Sequence, residues 1–315
     1  MEFGPDLDRA LALLRAGNVV GLPTETVYGL AADALQPEAV ARVFSIKQRP
    51  FFDPLIVHAA DRAGLAPYVT HWPEAALRLA EAFWPGPLTL ILPKRPLIPD
   101  LVTSGLPFVA VRVPAHPLAQ ALLRAYGGPL AAPSANRFGR ISPTTAAAVR
   151  EELGDAVPLV LDGGPCLVGL ESTIVAFPDA GPTVLRAGGI SVEALEAIVG
   201  PVRWARKEAE AAAAPGQLPQ HYAPRTPLRV VASADEVPHA ERARAAFLGW
   251  GPGAAEGYAA ARNLSPTESF AEAAVNLFAF LRELDAAGVE RIDAQRLPER
   301  DLGRAINDRL ARAAH

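Results

Sequence analysis

Leu7, Leu11 and Leu14 recur at helical spacing and Gly17 follows them, which predicts a helix over Asp6–Ala16. Val19-Val20-Gly21-Leu22 then reads as a short buried strand closed by Pro23. A helix is expected over Pro37–Lys47, a strand at Leu55-Ile56-Val57 and a helix over Glu74–Phe83. Apolar runs predict strands at Leu88–Leu92, Phe108–Val113, Leu130–Ala132, Leu159–Leu161, Thr173–Ala176 and Thr183–Leu185. Helical patterns fall between them at Leu118–Tyr126, Thr144–Leu153 and Val192–Val199. This alternation predicts an α/β fold, a sheet layered by helices. Long irregular joins such as Lys94–Pro107 point to a twisted, mixed sheet rather than an all-parallel one.

The pattern breaks after Gly200. Glu208–Ala214 is alanine-rich, Pro215-Gly216 ends it, and Gln217–Pro227 carries three prolines without apolar periodicity, the composition of a linker. A second unit starts with a strand at Leu228–Val231. It continues with a helix over Ala234–Ala245, a strand at Ala246–Trp250, an amphipathic helix over Thr267–Leu284, a strand at Arg291–Ala294 and a helix over Asp301–Ala313. The expected organisation is a catalytic-sized domain over 1–202, a linker over 203–227, and a small three-layer α/β, Rossmann-like domain over 228–315. The helix Thr267–Leu284 is expected to pack a core rather than dock a partner.

Length and charge narrow the function. A chain of 315 residues, half of them hydrophobic, suits two domains. A net charge of −4 lacks the positive excess of a protein that coats nucleic acid, so any RNA contact is expected to be transient or indirect. The one cysteine, Cys166, fits a reducing compartment. Glu2, Asp6 and Asp8 do not read as a signal peptide, and no apolar run is long enough to cross a bilayer; a cytoplasmic protein without membrane contact is expected.

Familiar nucleotide and metal motifs are absent from the sequence. It has no G-x-x-x-x-G-K-[ST], no strand followed by G-x-G-x-x-G, no zinc spacing and no G-x-S-x-G. Four polar clusters stand instead at or after expected strand ends, where α/β sheets bind ligands. They are Pro23–Leu30; Lys47-Gln48-Arg49 with Asp53–His58; Ala132-Pro133-Ser134-Ala135-Asn136 with Ser142-Pro143-Thr144; and Glu171-Ser172-Thr173-Ile174 with Arg186. Singly, each has a plainer explanation: a capped turn, cations at a helix C-terminus, hydroxyls at a helix N-cap.

In their order and spacing, the clusters resemble the YrdC-like threonylcarbamoyl-AMP synthases, in the long form with an extra C-terminal domain. The resemblance extends through Trp84-Pro85-Gly86-Pro87-Leu88-Thr89, Val109–Pro114, Leu185-Arg186-Ala187-Gly188 and His221-Tyr222-Ala223-Pro224. It implies an enzyme that adenylylates carboxylated threonine, taking L-threonine, bicarbonate and ATP with Mg2+ to threonylcarbamoyl-AMP and pyrophosphate. The product would supply downstream transferase proteins that modify a tRNA adenosine beside the anticodon. By the same resemblance, Thr26, His58, Arg112, Ala132 and Ser172 would contact threonine. Lys47, Arg49, Asp53, Phe108, Ser134, Ser142, Arg186 and Tyr222 would contact ATP. Lys47 and Arg49 would act electrostatically, with no general base assigned, and the linker would close as a lid through Tyr222.

Three departures from the family's pattern stand out: Asp53, Phe108 and the stretch Ala214–Gln220 before His221. The rival reading is an RNA-binding module without catalysis, since a cleft lined by Lys47, Arg49, Arg112 and Arg186 would attract any phosphate. A carbamoyl-adenylate enzyme of metallocentre assembly is the other rival, and the one cysteine argues against it.

Overall fold

In the computed structural model, which describes residues 4–205, 221–253 and 255–314, short apolar runs of the first part pair into one mixed sheet. The chain runs from α1 (Gly4–Arg15) through β1 (Val20–Leu22) and β2 (Gly29–Asp33) to α2 (Pro37–Lys47), β3 (Ile56–His58) and the single turn α3 (Arg62–Leu65). Next come α4 (Glu74–Phe83), β4 (Leu88–Pro93), α5 (Asp100–Thr103), β5 (Phe108–Arg112), α6 (Pro117–Tyr126) and β6 (Leu130–Ala131). After α7 (Ala146–Leu153) follow β7 (Thr173–Ala176), β8 (Thr183–Arg186), α8 (Val192–Val199) and β9 (Arg203–Trp204). The strand order is β1-β2-β6-β3-β5-β4-β7-β8-β9. Pairs β3/β5, β4/β7 and β8/β9 are parallel and the others antiparallel, the mixed sheet that the joins suggested.

Alternation along the strands gives the two faces different fates. Val57, Leu90, Val109, Val111 and Val175 turn one way and form a core with Val43 and Phe44 of α2, Leu79 of α4 and Leu195 of α8. Ile56, Ile91, Ala110, Ile174 and Leu185 turn the other way. At the β1–β2–β6 end, α1 and α6 cover that second face through Ala10, Leu14, Leu122 and Leu123. Over β3, β5, β4 and β7, the described apolar residues of the second face include none from a helix. The sheet thus offers a bare floor beside its covered end.

The second unit contains β10 (Leu228–Val231), α9 (His239–Arg242), β11 (Ala245–Gly249), β12 (Ala260–Asn263), α10 (Phe270–Asp285), β13 (Arg291–Gln295) and α11 (Gly303–Ala313). Its strands pair in parallel in the order β10-β13-β11-β12. Ala246 and Leu248 face Leu277 and Phe278 of α10 and Ile306 and Leu310 of α11, while Phe247 faces Val237 and Tyr258. These are the three layers expected. The amphipathic helix is α10, and its Leu277, Phe278 and Leu281 are buried core residues. That core does not stop at the domain edge: Val27, Ile141 and Leu170 of the first unit belong to it. Arg140–Asp285 at 3.5 Å, Arg282–Glu152 at 3.2 Å and Arg304–Glu193 at 2.5 Å add ion pairs across the same boundary.

Some elements differ from expectation. Leu159–Leu161 is not a strand of the sheet; it makes one bridge, Gly21 with Val160, before Gly163 and Gly164 turn the chain away. The helix expected over Ala234–Ala245 is split into a 3-10 turn, Ala234–Glu236, and α9, because Pro238 lacks an N–H and clashes with a preceding turn. Strands β2 and β12 were not expected: β2 is buried throughout and shows no alternation, and β12 is half alanine, half polar, with no buried residue. The irregular join Lys94–Pro107 contains α5. Strand β9 continues the sheet past residue 202, where the linker was expected to begin, and the alanine-rich stretch Glu208–Ala214 lies outside the described residues. No described helix is long and apolar enough to cross a membrane.

A close approach of the two units is testable at Gly169, whose φ is +74°. A Cβ there would lie 2.3 Å from the Ala274 carbonyl oxygen and 2.5 Å from the Val275 Cα, both backbone atoms of α10. Gly169→Ala is expected to lower stability by about 2–4 kcal/mol, from left-handed strain plus overpacking. Urea denaturation of the full chain measures this, and an unchanged midpoint would show that α10 does not pack there.

Candidate active site

Where β3 and β5 end, the bare floor closes into a cavity. Its walls are the loop between β1 and β2, His58 and Arg112 at the two strand ends, Ala132–Ser134 after β6, Glu171–Ser172 entering β7, Arg186 ending β8, Arg49, and His221–Tyr222. Local chemistry sets each wall. The Thr24 hydroxyl donates to the Val27 carbonyl at 2.6 Å and meets the Thr26 hydroxyl at 2.8 Å, folding the first loop on itself. Helix α2 ends in a left-handed Gln48, φ +54°, whose N–H returns to the helix; this reversal turns Arg49 inward. Ala132 N–H bonds the Ile56 carbonyl at 3.0 Å and Leu30 N–H bonds the Pro133 carbonyl at 2.8 Å, fixing the third wall against the first and against β3. Tyr222 is 1% exposed and has φ +65°, a strained conformation for a bulky residue.

The cations at the cavity are buried and each is held by an internal acceptor. Arg49 pairs with Asp53 at 2.9 Å and donates to the Asp53 and Pro54 carbonyls. Arg112 pairs with Glu25 at 2.6 Å, and the second oxygen of Glu25 accepts the Ala115 N–H at 3.0 Å. Arg186 donates to the Ser172 carbonyl at 3.0 Å and to its hydroxyl at 3.3 Å, and that hydroxyl also meets Thr89 at 2.7 Å. Glu171 accepts from Ser142 at 2.5 Å and pairs at 3.0 Å with Arg309, which comes from α11 of the second domain.

Burial sets the protonation states. It lowers the pKa of Arg49 and Arg186, and neighbouring cations push the same way, Arg186 acting on Arg49 and Arg309 on Arg186. Both guanidinium groups start so high that they stay charged. Lys47 is lowered well below the ordinary lysine value by burial and by Arg49. His58 is pushed down to about 3 by burial and by the Arg112 charge, so its imidazole is neutral at physiological pH. Its Nδ1 lies 3.1 Å from the Ile56 carbonyl, which assigns the proton to Nδ1 and leaves Nε2 an acceptor. A group with so low a pKa accepts hydrogen bonds but is a poor general base at neutral pH. Burial raises Tyr222 to about 12, so it is a neutral phenol.

Most sequence-predicted residues meet here. Thr26, His58, Arg112, Ala132 and Ser172 line the cavity together with Arg49, Ser134, Arg186 and Tyr222. Lys47, Asp53 and Ser142 are buried but do not line it. Lys47 does not project charge from the helix end, as the sequence suggested; its Nζ donates to the Ser134 and Asn136 carbonyls. Phe108 stands apart. It begins β5, is 44% exposed and lines a separate apolar groove with Ile91 and Leu185. Four residues of strand put it about 13 Å from Arg112, on the same face. Sequence reading gave no role to Glu25, Glu171, His221 or Arg309. Glu25 and Glu171 stood inside quoted motifs and His221 beside Tyr222, whereas Arg309 lies 138 positions from Glu171 and left no local signal.

Among the described residues no three His, Cys, Asp or Glu side chains converge on one point. The three carboxylates nearest the cavity, Glu25, Asp53 and Glu171, each answer an arginine.

Comparison with known proteins fits this geometry. The Sua5–YciO–YrdC family, described as "Telomere recombination", matches residues 12–188, and the Sua5 family described as "Threonylcarbamoyl-AMP synthase, C-terminal domain" matches residues 190–315. A threonylcarbamoyl-AMP synthase of Pyrococcus abyssi is 40% identical over 97% of this chain and 93% of its own length. One of Bacillus subtilis is 39% identical over 98% and 93%. The crystal structure of P. abyssi Sua5 complexed with L-threonine superposes with a TM-score of 0.89 at 36% identity, covering 98% of this chain and 94% of that one.

The neutral imidazole makes stability depend on pH. Between pH 6.5 and about 3 the unfolded chain binds a proton at His58 that the folded chain refuses, so stability is lost as pH falls through that window. The slope contributed is at most about 1.4 kcal/mol per pH unit. His58→Gln is expected to flatten the acid limb by about that amount, read from urea unfolding between pH 6.5 and 4.5. An identical slope would mean that His58 is not buried neutral.

Proposed function

The chain belongs to the Sua5–YciO–YrdC family, and we propose that it is a nucleotidyltransferase making threonylcarbamoyl-AMP from L-threonine, bicarbonate and ATP, with release of pyrophosphate. One observation carries the reading: three buried arginines, Arg49, Arg112 and Arg186, converge on one cavity with Thr26, Ser172, Ser134 and a neutral His58. Such a cavity suits a small amino acid next to a polyanion.

Threonine would bring its carboxylate to Arg112, a forked cation that already holds one carboxylate, that of Glu25. Its hydroxyl and amine would find Thr26, Ser172, the Ala132 backbone and the acceptor Nε2 of His58. The amine takes up CO2 from bicarbonate, losing water, and becomes a carbamate. A carbamate oxygen then attacks the α-phosphorus of ATP; the new P–O bond forms as the bond to pyrophosphate breaks. Alignment and compensation of negative charge are the protein's share, in an enclosed site where both act strongly. Arg49 and Arg186 would meet the phosphates with Ser134 and Tyr222. Lys47, Asp53 and Ser142 would hold that group from behind, through the Ser134 carbonyl, Arg49 and Glu171 respectively. The nucleoside would extend over Ala110 toward Phe108, along the bare face of β5. Mg2+ would come with the triphosphate, bound by phosphate oxygens rather than by protein carboxylates.

The product would pass to transferase proteins that modify a tRNA adenosine next to the anticodon. A purely RNA-binding role fits less well. Arg49, Arg112 and Arg186 are 7%, 4% and 6% exposed, too recessed to follow a polymer backbone.

Purified protein is expected to release pyrophosphate from ATP only when threonine and bicarbonate are both present, without RNA; release that ignores threonine would end this reading. Arg49→Ala and Arg186→Ala should each cost about 2–4 kcal/mol of transition-state stabilisation, as lost oxyanion donors do. Steady-state kcat/KM measures it, and a loss under about threefold would remove that residue from the phosphate site.

A further inference from the structure

We infer that Arg309, supplied by the C-terminal domain, is a positioning residue of the cavity: it neutralises Glu171 so that a polyphosphate can bind beside it. The inference rests on the function proposed above. Glu171 lines the cavity next to Ser172, whose carbonyl and hydroxyl hold Arg186. A bare carboxylate in that wall would repel the phosphates that Arg49 and Arg186 are placed to attract. Its two oxygens are occupied, one by the Ser142 hydroxyl and the other by Nε of Arg309. Ser142 is neutral, so the counter-charge closest to Glu171 crosses from the other domain.

The anchorage of Arg309 is that of a placed group. It lies in α11 with 0% exposure, and its Nη1 donates to the Ala187 carbonyl at 2.7 Å and to Asp308 at 3.0 Å. Ala187 directly follows Arg186, so the same guanidinium braces the segment that carries the phosphate-facing arginine. Its central carbon also sits 5.2 Å from the centre of the Tyr222 ring, which lines the cavity. One side chain thus touches two lining residues, Glu171 and Tyr222, and the residue that follows a third, Arg186.

Domain attachment does not need this arginine. The membership of Val27, Ile141 and Leu170 in the second unit's apolar core, and the pairs Arg282–Glu152, Arg140–Asp285 and Arg304–Glu193, already join the units. A fully buried arginine is a poor choice for simple adhesion, since an apolar residue of similar size would serve as well. Its value lies in the charge that it brings to Glu171. The C-terminal domain therefore backs the wall of the cavity.

The test uses the full chain and compares Arg309→Gln, Arg309→Lys, the double variant Arg309→Gln/Glu171→Gln, and Arg304→Gln as a boundary control. KM for ATP, KM for threonine, kcat and Tm are measured for each. Arg309→Gln is expected to raise the KM for ATP at least tenfold while that for threonine moves less than threefold. Arg309→Lys, which keeps the charge, stays within about threefold of the wild type. The double variant recovers most of the loss because no carboxylate is left to compensate, and Arg304→Gln leaves all three kinetic constants unchanged. Equal KM values for ATP in Arg309→Lys and Arg309→Gln, or a double variant no better than the single one, overturn the proposal. If Arg309→Gln does not fold, the double variant carries the test alone: a tenfold rise in its KM for ATP overturns the proposal. If the wild type shows no threonine-dependent pyrophosphate release, the function proposed above fails separately. Calorimetric titration with ATP then reads the same comparison as Kd.

Discussion

A buried cation must be answered by an anion or a dipole, and that constraint organises this molecule. Arg49, Arg112 and Arg186 face one cavity at less than a tenth of their free exposure. Little of their surface reaches solvent, so the fold supplies Asp53, Glu25 and the Ser172 carbonyl. The same partners pre-orient the guanidinium groups, so that an incoming anion meets donors already fixed in place. Burial strengthens each interaction and, with the Arg112 charge, holds His58 neutral, which makes it an acceptor.

The sheet makes such a cavity possible by treating its faces unequally. Helices α2, α4 and α8 cover one face, and α1 and α6 cover only one end of the other. The remaining floor carries Ala110 and Phe108 outward from Arg112 along a single strand. A ligand with a charged end and a flat apolar end would match that order. The second domain, through α10 and α11, then backs the wall. Phe278 stacks on Tyr222 at 5.7 Å, and Arg309 lies over the same ring. Packing from both helices is what can hold Tyr222 in its strained backbone conformation.

The sequence by itself determined much of the architecture. Helices α2, α4 and α8 follow from periodicity, and most strands from apolar runs, because an amphipathic face and a buried strand are written in consecutive residues. The resemblance located the loops that carry Thr26, Arg49, Ala132, Ser172 and Arg186. Expectation failed where neighbours outside the segment decide. Val160 makes one bridge and no ladder, and β2 is buried without alternation; the break at Pro238, by contrast, stood in the segment's own sequence.

Only the tertiary structure decided which charges pair. Lys47 and Arg49 look alike in the chain, yet one turns to backbone carbonyls and the other to the cavity, because a left-handed Gln48 stands between them. Phe108 and Arg112 share a strand, yet strand length separates their surroundings. Arg309 meets Glu171 across 138 positions. Electrostatic pairing depends on distance in space and on burial, and neither quantity is encoded in residue order until the two domains have packed.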